Sequence, residues 1–555
     1  MKKTAPIDPF DSSRCIGTIF EVGPSYAKAT FSEAASNSAE VGGFVVIKCG
    51  EFVLFGRITS VRSSRLTEGP ETERPSDAHP VGTIELLTTM AIDGQSANRG
   101  IARFPHIGSP VYSAPSQLLS WLFECSQIHE LASEPVMLNL TSLTDGTEIR
   151  LTPERVFGRH CAVLGATGAG KSWTFARLIE EAGRYSSKMV LFDATGEFHT
   201  LNTGVRHIHI GSEPEPLESS REVAVPYQTL TESDLFALFK PSGPTQAPKL
   251  RAAIKSLKLA KVPQLATRGV VLKAGKLKAP YETAYAARAR EIEDPRANFD
   301  ISNLPAQIDA ECVFPAGGFS SNPDPSRWGA PNEIERSNCV TLITRIEDML
   351  QAPELACIFR PGEQRGIFDE VESFIADDSE RVLHISLKHL PFAHDAREIV
   401  VNALGRHLLG LARPGRFRDR PFLLLLDEAH HFLNKTLGDE NTRYPLDSFE
   451  LIAKEGRKLS LNISIATQRP RDIPEGILSQ MGTLIIHRLN NDKDREVVER
   501  ASSEADRSAM AFVPGLGDGQ AVIIGVDFPI PLAVQITPPT QVPDSRGPDY
   551  QARWR

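Results

Sequence analysis

Residues 161–174, CAVLGATGAGKSWT, have the residue types and spacing best suited to chemistry in this sequence. An apolar strand leads into the glycine-rich pattern GATGAGKS, and a helix-compatible stretch follows it. Successive backbone N–H groups of such a loop form a cradle for anions together with the helix N-terminus. The lysine of the pattern contacts the β- and γ-phosphates, and the serine hydroxyl binds Mg²⁺. The predicted nucleotide-binding residues are Gly165, Ala166, Thr167, Gly168, Ala169, Gly170, Lys171, Ser172 and Trp173, with Lys171 also catalytic and Ser172 also a metal ligand.

A pair of acidic residues follows a second apolar run, FLLLLDEAHH, at residues 422–431. Its leucines predict a buried strand whose carboxyl end presents Asp427 and Glu428, where ligands of open α/β sheets bind. Asp427 is predicted to hold Mg²⁺ and Glu428 to polarise an attacking water. The alternative, two carboxylates that favour a helix N-terminus, is weakened by the phosphate loop upstream. Because a second carboxylate suits attack by water, the pair predicts hydrolysis of ATP.

Two other strand ends carry candidate site residues. VLFDATGEF, at residues 190–198, places Asp193 and Glu197 at the end of a strand, where they face the nucleotide or a substrate channel. A turn-capping role for Asp193 is the alternative. ISIATQRP, at residues 463–470, ends a strand with Gln468, which is placed to sense the γ-phosphate.

A charged, glycine-broken segment, AKEGRKLS, precedes the strand of Gln468 and exposes Arg457 and Lys458. An arginine in such a segment is a candidate arginine finger that acts across a subunit boundary on the neighbour's nucleotide. An ordinary surface arginine is the alternative, and the pattern alone leaves both open.

The elements that position these residues change in character along the chain. Short β-branched and aromatic runs at residues 15–113 predict a small N-terminal β-barrel. From about residue 135, apolar runs of four to six residues alternate with amphipathic stretches, which predicts an α/β fold with a RecA-like, mostly parallel sheet. The predicted domains are an assembly or docking barrel (1–134), an ATPase core with a helical insertion at about 230–380 (135–535) and a flexible tail (536–555).

A basic run lies within the predicted insertion. Residues 240–280 contain ten Lys or Arg and no acidic residue. The run indicates either a surface that contacts phosphates or a solvated helix face, and charge runs are more often the latter.

Composition sets the broad class of the protein. A chain of 555 residues predicts two or three domains. The net charge of −9 argues against a protein that coats nucleic acid with its whole surface, although it allows a basic channel. The seven cysteines are scattered without a CxxC pair, so reduced thiols are expected rather than a zinc or disulfide framework. No apolar run long enough for a signal peptide or membrane span occurs, and the predicted compartment is the cytoplasm.

These motifs, in this order, resemble the HerA family of hexameric DNA translocases within the larger FtsK/HerA group. The GRK and ATQRP motifs and the asparagine-rich segment after them are among its most specific features. The N-terminal strands are similar to the HAS barrel that precedes the motor in this family. The matching segments are RHCAVLGATGAGKS (159–172), FDATGEF (192–198), LLLLDEAHHFLNK (423–435), EGRKLSLNISIATQRPRDIPEGILSQMGTLIIHRLNNDKD (455–494) and GLGDGQAVIIGVDFPIPL (515–532).

The resemblance implies roles for individual residues. Asp427 and Glu428 match the Walker B pair of the family, and Gln468 matches its γ-phosphate sensor. Arg159, Lys435 and Arg457 match basic positions that the family uses at subunit boundaries, which favours Arg457 as a finger.

The resemblance also implies partners. The family forms homo-hexameric rings with double-stranded DNA in the central pore, and its members act with a partner. That partner is a nuclease for end resection in archaea, or a sirtuin-like NAD-degrading or nuclease effector in bacterial anti-phage defence. We therefore expect an ATP- and Mg²⁺-dependent motor on double-stranded DNA with such an effector. The alternatives are a ring that mainly scaffolds and regulates the effector, and an end-resection motor in repair; a motor that moves protein is disfavoured because no membrane segment is predicted.

Overall fold

The computed structural model describes residues 5–32, 39–63, 80–93, 97–127, 135–212, 219–262, 264–296, 298–319, 322–391, 393–433, 436–437, 444–502, 508–545 and 550–554. Its contacts divide the chain into two compact units. The first unit comprises Met1–Ser187, Arg420–His430 and Ala453–Arg555, and the second comprises Lys188–Asp419 and His431–Ile452. Within the ranges described, we find no helix with both the length and the apolar character needed to cross a membrane.

The strands and helices are numbered in chain order. The strands are β1 (Cys15–Val22), β2 (Tyr26–Phe31), β3 (Phe44–Cys49), β4 (Phe52–Ser63), β5 (Pro80–Ala91), β6 (Ala97–Arg99), β7 (Pro110–Ser113), β8 (Leu138–Ser142), β9 (Glu148–Leu151), β10 (Cys161–Leu164), β11 (Lys188–Asp193), β12 (Val205–Ile210), β13 (Ser220–Val223), β14 (Ala266–Thr267), β15 (Val270–Val271), β16 (Gly317–Phe319), β17 (Asn322–Asp324), β18 (Val382–Ser386), β19 (Phe422–Leu426), β20 (Thr436–Leu437), β21 (Tyr444–Pro445), β22 (Leu461–Thr467), β23 (Thr483–Ile486), β24 (Gln520–Gly525) and β25 (Leu532–Ile536). The helices are α1 (Ser116–Gln127), α2 (Pro153–Phe157), α3 (Lys171–Gly183), α4 (Glu232–Phe239), α5 (Gly243–Leu259), α6 (Ala279–Ala287), α7 (Ala289–Ile292), α8 (Leu304–Glu311), α9 (Glu333–Gln351), α10 (Ala356–Phe359), α11 (Ile367–Ala376), α12 (Ala396–Ala412), α13 (Ser448–Glu455), α14 (Glu475–Leu478), α15 (Asp492–Ala501) and α16 (Tyr550–Arg553).

The first unit begins with a closed antiparallel barrel. Its strand order is β2-β1-β7-β3-β4-β5, and β5 also pairs with β2, so six strands form a ring to which β6 is added. The alternating pattern of these strands buries one face, and the core includes Ile19, Val45, Leu54 and Ile84. Full closure leaves the ring without a free edge. The predicted N-terminal barrel is confirmed.

The first unit also contains a mixed sheet with the order β19-β22-β10-β23-β24-β25-β8-β9. The first four strands are parallel and the remaining pairs are antiparallel. All residues of β10 and β19 are buried, as expected for apolar parallel strands covered on both faces. Because β22 lies between β19 and β10, the carboxyl ends of these three strands meet at one edge of the sheet.

The second unit contains four parallel strands in the order β13-β12-β18-β11. The predicted helical insertion at about 230–380 contains α4 to α11 and the short hairpins β14–β15 and β16–β17. Together with the sheet of the first unit, these elements confirm the predicted α/β class. The predicted domain limits at residues 134 and 535 stay predictions.

The basic run at residues 240–280 lies in the second unit and is largely neutralised there. The ammonium of Lys273, for example, lies 2.6 Å from a carboxylate oxygen of Glu311, and both side chains are buried. Lys258 donates instead to the carbonyls of Ile292 and Asp294. The acidic partners come from outside the run, so the local sequence could not show them. The carboxylate pairs are Lys240–Asp395, Lys249–Glu335, Arg251–Glu232, Lys255–Glu293 and Lys273–Glu311.

Candidate nucleotide-binding and hydrolysis site

The predicted phosphate loop connects β10 to α3, which begins at Lys171. Gly168 and Gly170 have φ angles of 76° and 109°, in a region that side chains rarely adopt. Gly165 is required for a different reason, because a Cβ there would lie 2.6 Å from the Cβ of His487. The glycines therefore set the loop's curvature and allow the backbone behind it to approach closely.

Neighbouring strand ends hold this loop in place. The amide of Ala166 donates to the carbonyl of Arg488 at 2.9 Å, and the amide of Gly519 donates to Ala169 at 3.4 Å. The Lys171 ammonium folds back to the carbonyl of Ala166 at 3.3 Å. Trp173, in the first turn of α3, is 38% exposed. Neighbouring strand ends thus anchor the loop, and Lys171 folds back onto it.

His487 is buried behind the phosphate loop, and the sequence analysis did not single it out. Its Nδ1 lies 2.8 Å from the carbonyl oxygen of Gln520 and therefore carries the proton of that hydrogen bond. Its Nε2 lies 2.8 Å from the hydroxyl of Thr174. Burial lowers the pKa of His487 to about 4, so the ring is neutral at neutral pH. A neutral imidazole supports the loop and the first turn of α3 from behind.

Asp427 and Glu428 follow β19 directly and are both buried. Glu428 has a φ of 45°, an unfavourable conformation for a residue with a side chain. Burial alone would raise the pKa of Glu428, but a hydrogen bond from His430, the positive charge of Lys171 and a hydrogen bond from Gln468 together lower it. The carboxylate is therefore ionised at neutral pH, as a group that polarises water requires.

Gln468 joins the phosphate loop to the acidic pair. Its amide oxygen accepts a hydrogen bond from the hydroxyl of Thr167, and its Nε2 donates to Oε1 of Glu428. Its backbone amide lies 3.4 Å from Oε2 of the same carboxylate. The structure thus brings together three motifs that are about 260 and 40 residues apart in the sequence.

Arg457 and Arg159 lie away from this edge. Arg457 precedes β22, whereas Gln468 follows it, and the seven residues of that strand span roughly 20 Å. The exposed Arg457 borders a cavity of about 360 Å³ that Tyr185 and Asn462 also line. Arg159 precedes β10 and pairs with Asp527 at 2.8 Å. Lys435, the third predicted basic position, lies outside the described residues.

Asp193 belongs to the second unit and ends β11. It is fully buried, and its carboxylate accepts hydrogen bonds from the amides of Thr195, Gly196 and Phe198. Burial would raise the pKa of Asp193, but the hydrogen bond from His384 Nε2, at 2.9 Å, and the amide hydrogen bonds lower it. Asp193 therefore caps this turn, and its contact with nucleotide or a substrate channel stays a prediction. Glu197 begins the 3₁₀ turn Glu197–Thr200 that this carboxylate caps.

Comparison with known proteins identifies several similar chains. Residues 138–291 match the family model described as the central domain of the helicase HerA. A probable helicase of Methanocaldococcus jannaschii is 24% identical over 90% of this chain and 87% of its own length. The DNA double-strand break repair helicase HerA of Sulfurisphaera tokodaii is 24% identical over 78% of this chain and 73% of its own. The HerA of Pyrococcus furiosus is 39% identical over a shorter stretch, 21% of this chain and 20% of its own.

A solved structure of the bacterial conjugative coupling protein TrwBdeltaN70 aligns with a TM-score of 0.44 and 14% identity, covering 78% of this chain and 94% of that one.

Proposed function

We propose that this chain is a hexameric ring motor that uses ATP hydrolysis to translocate on or unwind double-stranded DNA, which its match to the HerA central domain over residues 138–291 and its similarity to helicases support. The observation that carries the proposal is the bridge from Thr167 through Gln468 to Glu428. Gln468, the proposed γ-phosphate sensor, lies between the phosphate loop and the carboxylate that we propose polarises water. Such a connection suits an enzyme that links the presence of the γ-phosphate to hydrolysis and movement.

Each group at this edge has a part in the proposed reaction. The loop amides and Lys171 bind the phosphates, and the exposed Trp173 in the first turn of α3 contacts the nucleotide. Glu428 polarises the attacking water, and Gln468 contacts the γ-phosphate. The reaction is a transfer of the γ-phosphoryl group to water, so catalysis depends on positioning and electrostatic stabilisation more than on covalent steps.

The residues present fit Mg²⁺. Ser172 and Asp427 provide a hydroxyl and a carboxylate, the hard oxygen donors that this ion prefers. In the part of the chain that the structure describes, no three or more His, Cys, Asp or Glu side chains form a metal cluster. Mg²⁺ needs no such cluster, because it is commonly held by one or two protein oxygens together with substrate phosphates and water. When bound, the ion would neutralise charge that develops on the phosphates.

Arg457 and Arg159 support assembly into a ring. Both precede strands whose opposite ends form the nucleotide site, so neither reaches the nucleotide of its own chain. An exposed arginine in this position is suited to a neighbour's γ-phosphate, and we propose that Arg457 is a finger in trans, with Arg159 and Lys435 at the same subunit boundary. The ring would surround the DNA.

The proposal includes a partner that acts on DNA or nucleotide. We propose a nuclease or a sirtuin-like NAD-degrading effector in anti-phage defence, with the N-terminal barrel as its docking module. A repair motor for DNA ends is the second candidate, because several similar proteins are named DNA double-strand break repair helicases. A ring that chiefly scaffolds its effector is the third.

The decisive experiment measures ATP turnover of the purified chain with and without linear double-stranded DNA, and particle mass by light scattering. Glu428→Gln and Arg457→Ala are compared with Lys458→Ala, whose side chain is the adjacent exposed cation. We expect DNA-stimulated turnover in a particle of six chains that is lost in the first two variants and kept in the third. Turnover in a ring that DNA does not stimulate would favour the candidate in which the ring chiefly scaffolds its effector.

Mixing variants tests the trans role directly. Chains with Lys171→Ala cannot bind nucleotide productively but retain Arg457, and chains with Arg457→Ala retain a complete nucleotide site. An equimolar mixture should regain turnover that neither variant has alone. At some subunit boundaries, Arg457 of one chain would then face the complete nucleotide site of its neighbour. A mixture as inactive as its components would contradict action across the boundary.

A further inference from the structure

The side chain of Glu428 is held by more contacts than its proposed role requires. Oε1 accepts from Nε2 of Gln468, while Oε2 lies 3.4 Å from the Gln468 amide and 3.3 Å from Nδ1 of His430. The backbone at Glu428 has a φ of 45°, a conformation that persists only where the surrounding structure holds it. A base needs an oxygen lone pair directed at its water, and departure of the Gln468 side chain would free the lone pair that it occupies on Oε1.

The proton position on His430 follows from its neighbours. Nδ1 faces the carboxylate of Glu428 and also lies 3.1 Å from the hydroxyl oxygen of Thr467. An ionised carboxylate can only accept hydrogen bonds, so Nδ1 carries a hydrogen. The Thr467 oxygen also accepts from the amide of Arg469 at 3.0 Å. His430 is therefore a donor fixed between the end of β22 and Glu428, with its side chain only 11% exposed.

The two partners of Glu428 differ in what else they contact. Gln468 also binds Thr167 of the phosphate loop, where an arriving γ-phosphate competes for its amide. His430 is tied to Thr467 and Glu428, which both belong to the sheet edge. Binding of the γ-phosphate therefore perturbs the contact at Oε1 and leaves the contact at Oε2 in place.

We propose that His430 is a positioning residue for ATP hydrolysis, which holds Oε2 of Glu428 through its Nδ1–H while Gln468 releases Oε1 to the attacking water. The inference rests on the proposed role of Glu428. His430 directs the free oxygen toward the γ-phosphate and keeps the carboxylate from rotating when Gln468 departs. It acts through Glu428 and touches neither nucleotide nor water.

The test compares His430→Leu and His430→Asn, which have nearly the same shape but differ in the hydrogen-bond donor. We expect Leu to lower kcat for ATP by roughly 10- to 100-fold, because misplacing a catalytic group costs about that much. KM for ATP and Kd for ADP should stay within about twofold, and Asn should restore most of kcat. His431→Leu is the matched control, since the ring of His431 packs edge-on against Phe432.

A double variant separates this role from a general loss of structure. In a Glu428→Gln background, His430→Leu should add little, because the group through which His430 acts is already gone. Additive losses would overturn the inference, as would equal kcat values for Leu and wild type, or equal losses for Leu and Asn. If the wild-type chain itself lacks turnover that Glu428→Gln abolishes, the failure lies with the proposed function and not with His430.

Discussion

Arg57 of the barrel strand β4 and Ser508 lie 451 positions apart in the sequence, yet a hydrogen bond of 2.5 Å joins them. The Arg57 guanidinium also pairs with Glu85 at 2.9 Å, and the Ser508 hydroxyl donates to the same carboxylate at 2.6 Å. The ring of Phe512 lies 5.2 Å from the guanidinium carbon. Within the first unit, this partly buried cluster ties the barrel to the segment that leads into β24 and the glycine beside the phosphate loop.

Removing Arg57 should destabilise the first unit. Arg57→Ala leaves the Glu85 carboxylate and the Ser508 hydroxyl without their common donor, and Arg57 is only 5% exposed. We expect the free energy of unfolding to fall by about 3 kcal/mol, measured by urea denaturation. Arg62→Ala, at an exposed position of the same strand, is the control and should change it by less than about 1 kcal/mol. Equal effects would mean that the cluster adds no stability.

Glu370 should contribute strongly to the stability of the second unit, at the edge of its sheet. Its carboxylate is fully buried on α11 and receives the guanidinium groups of Arg206, Arg221 and Arg365 at 2.9 to 3.0 Å. Glu370→Gln keeps the shape but leaves the largely buried Arg206 with less compensation. We expect a loss of about 3 kcal/mol in chemical denaturation. The exposed Glu372 on the same helix gives the control, Glu372→Gln, and a similar loss there would refute the argument.

His160 should make stability depend on pH. Its Nε2 donates to the carbonyl of Ala453 at 3.0 Å and its Nδ1 accepts from the amide of Ile463 at 3.0 Å, which requires a neutral ring. Burial, with a smaller contribution from the charge of Arg457, lowers the pKa of His160 from 6.5 to about 4. The unfolded chain binds this proton near pH 6.5 and the folded chain only near pH 4, so the stability is complete above pH 6.5 and falls as the pH drops to 4.

The size of this effect is about 3 kcal/mol at pH 4 relative to pH 7. It is measured as the difference between wild type and His160→Gln in urea unfolding at several pH values. The difference cancels the contributions of His207 and His487, which burial also gives a pKa of about 4. Parallel curves for the two proteins between pH 7 and 4 would show that His160 does not titrate in this way.

Gly165→Ala should weaken nucleotide binding. The added Cβ would lie 2.6 Å from the Cβ of His487, so the loop must shift away from the buried histidine. We expect Kd for ADP, measured by calorimetry, to rise by at least about tenfold, because the shifted loop would no longer direct several of its amide N–H groups at the phosphates. Gly410→Ala is the control: this glycine lies in α12, where an added Cβ would meet nothing within 4 Å. The variant should bind ADP normally and gain about 1 kcal/mol of stability. Unchanged affinity in Gly165→Ala would show that the loop tolerates the shift.

Local sequence was sufficient to predict the elements whose cause is local. GATGAGKS predicts an anion cradle because glycines permit its backbone angles, and FLLLL predicts a buried strand because its residues are apolar throughout. Alternating short strands predicted the barrel in the same way. The identity of Lys171, Asp427 and Glu428 as site candidates needed only these patterns.

Contacts that depend on the order of strands and on distant partners are visible only in the folded chain. Gln468 meets both Thr167 and Glu428 because β22 lies between β19 and β10, and no local pattern states that order. His430 gains its role from contact with Glu428. Carboxylates from distant parts of the chain form ion pairs with the basic run, as Glu311 does with Lys273. The turn that follows Asp193 supplies amides to its buried carboxylate. Hydrogen bonds and ion pairs act over a few ångströms of space, whereas sequence records only neighbours along the backbone.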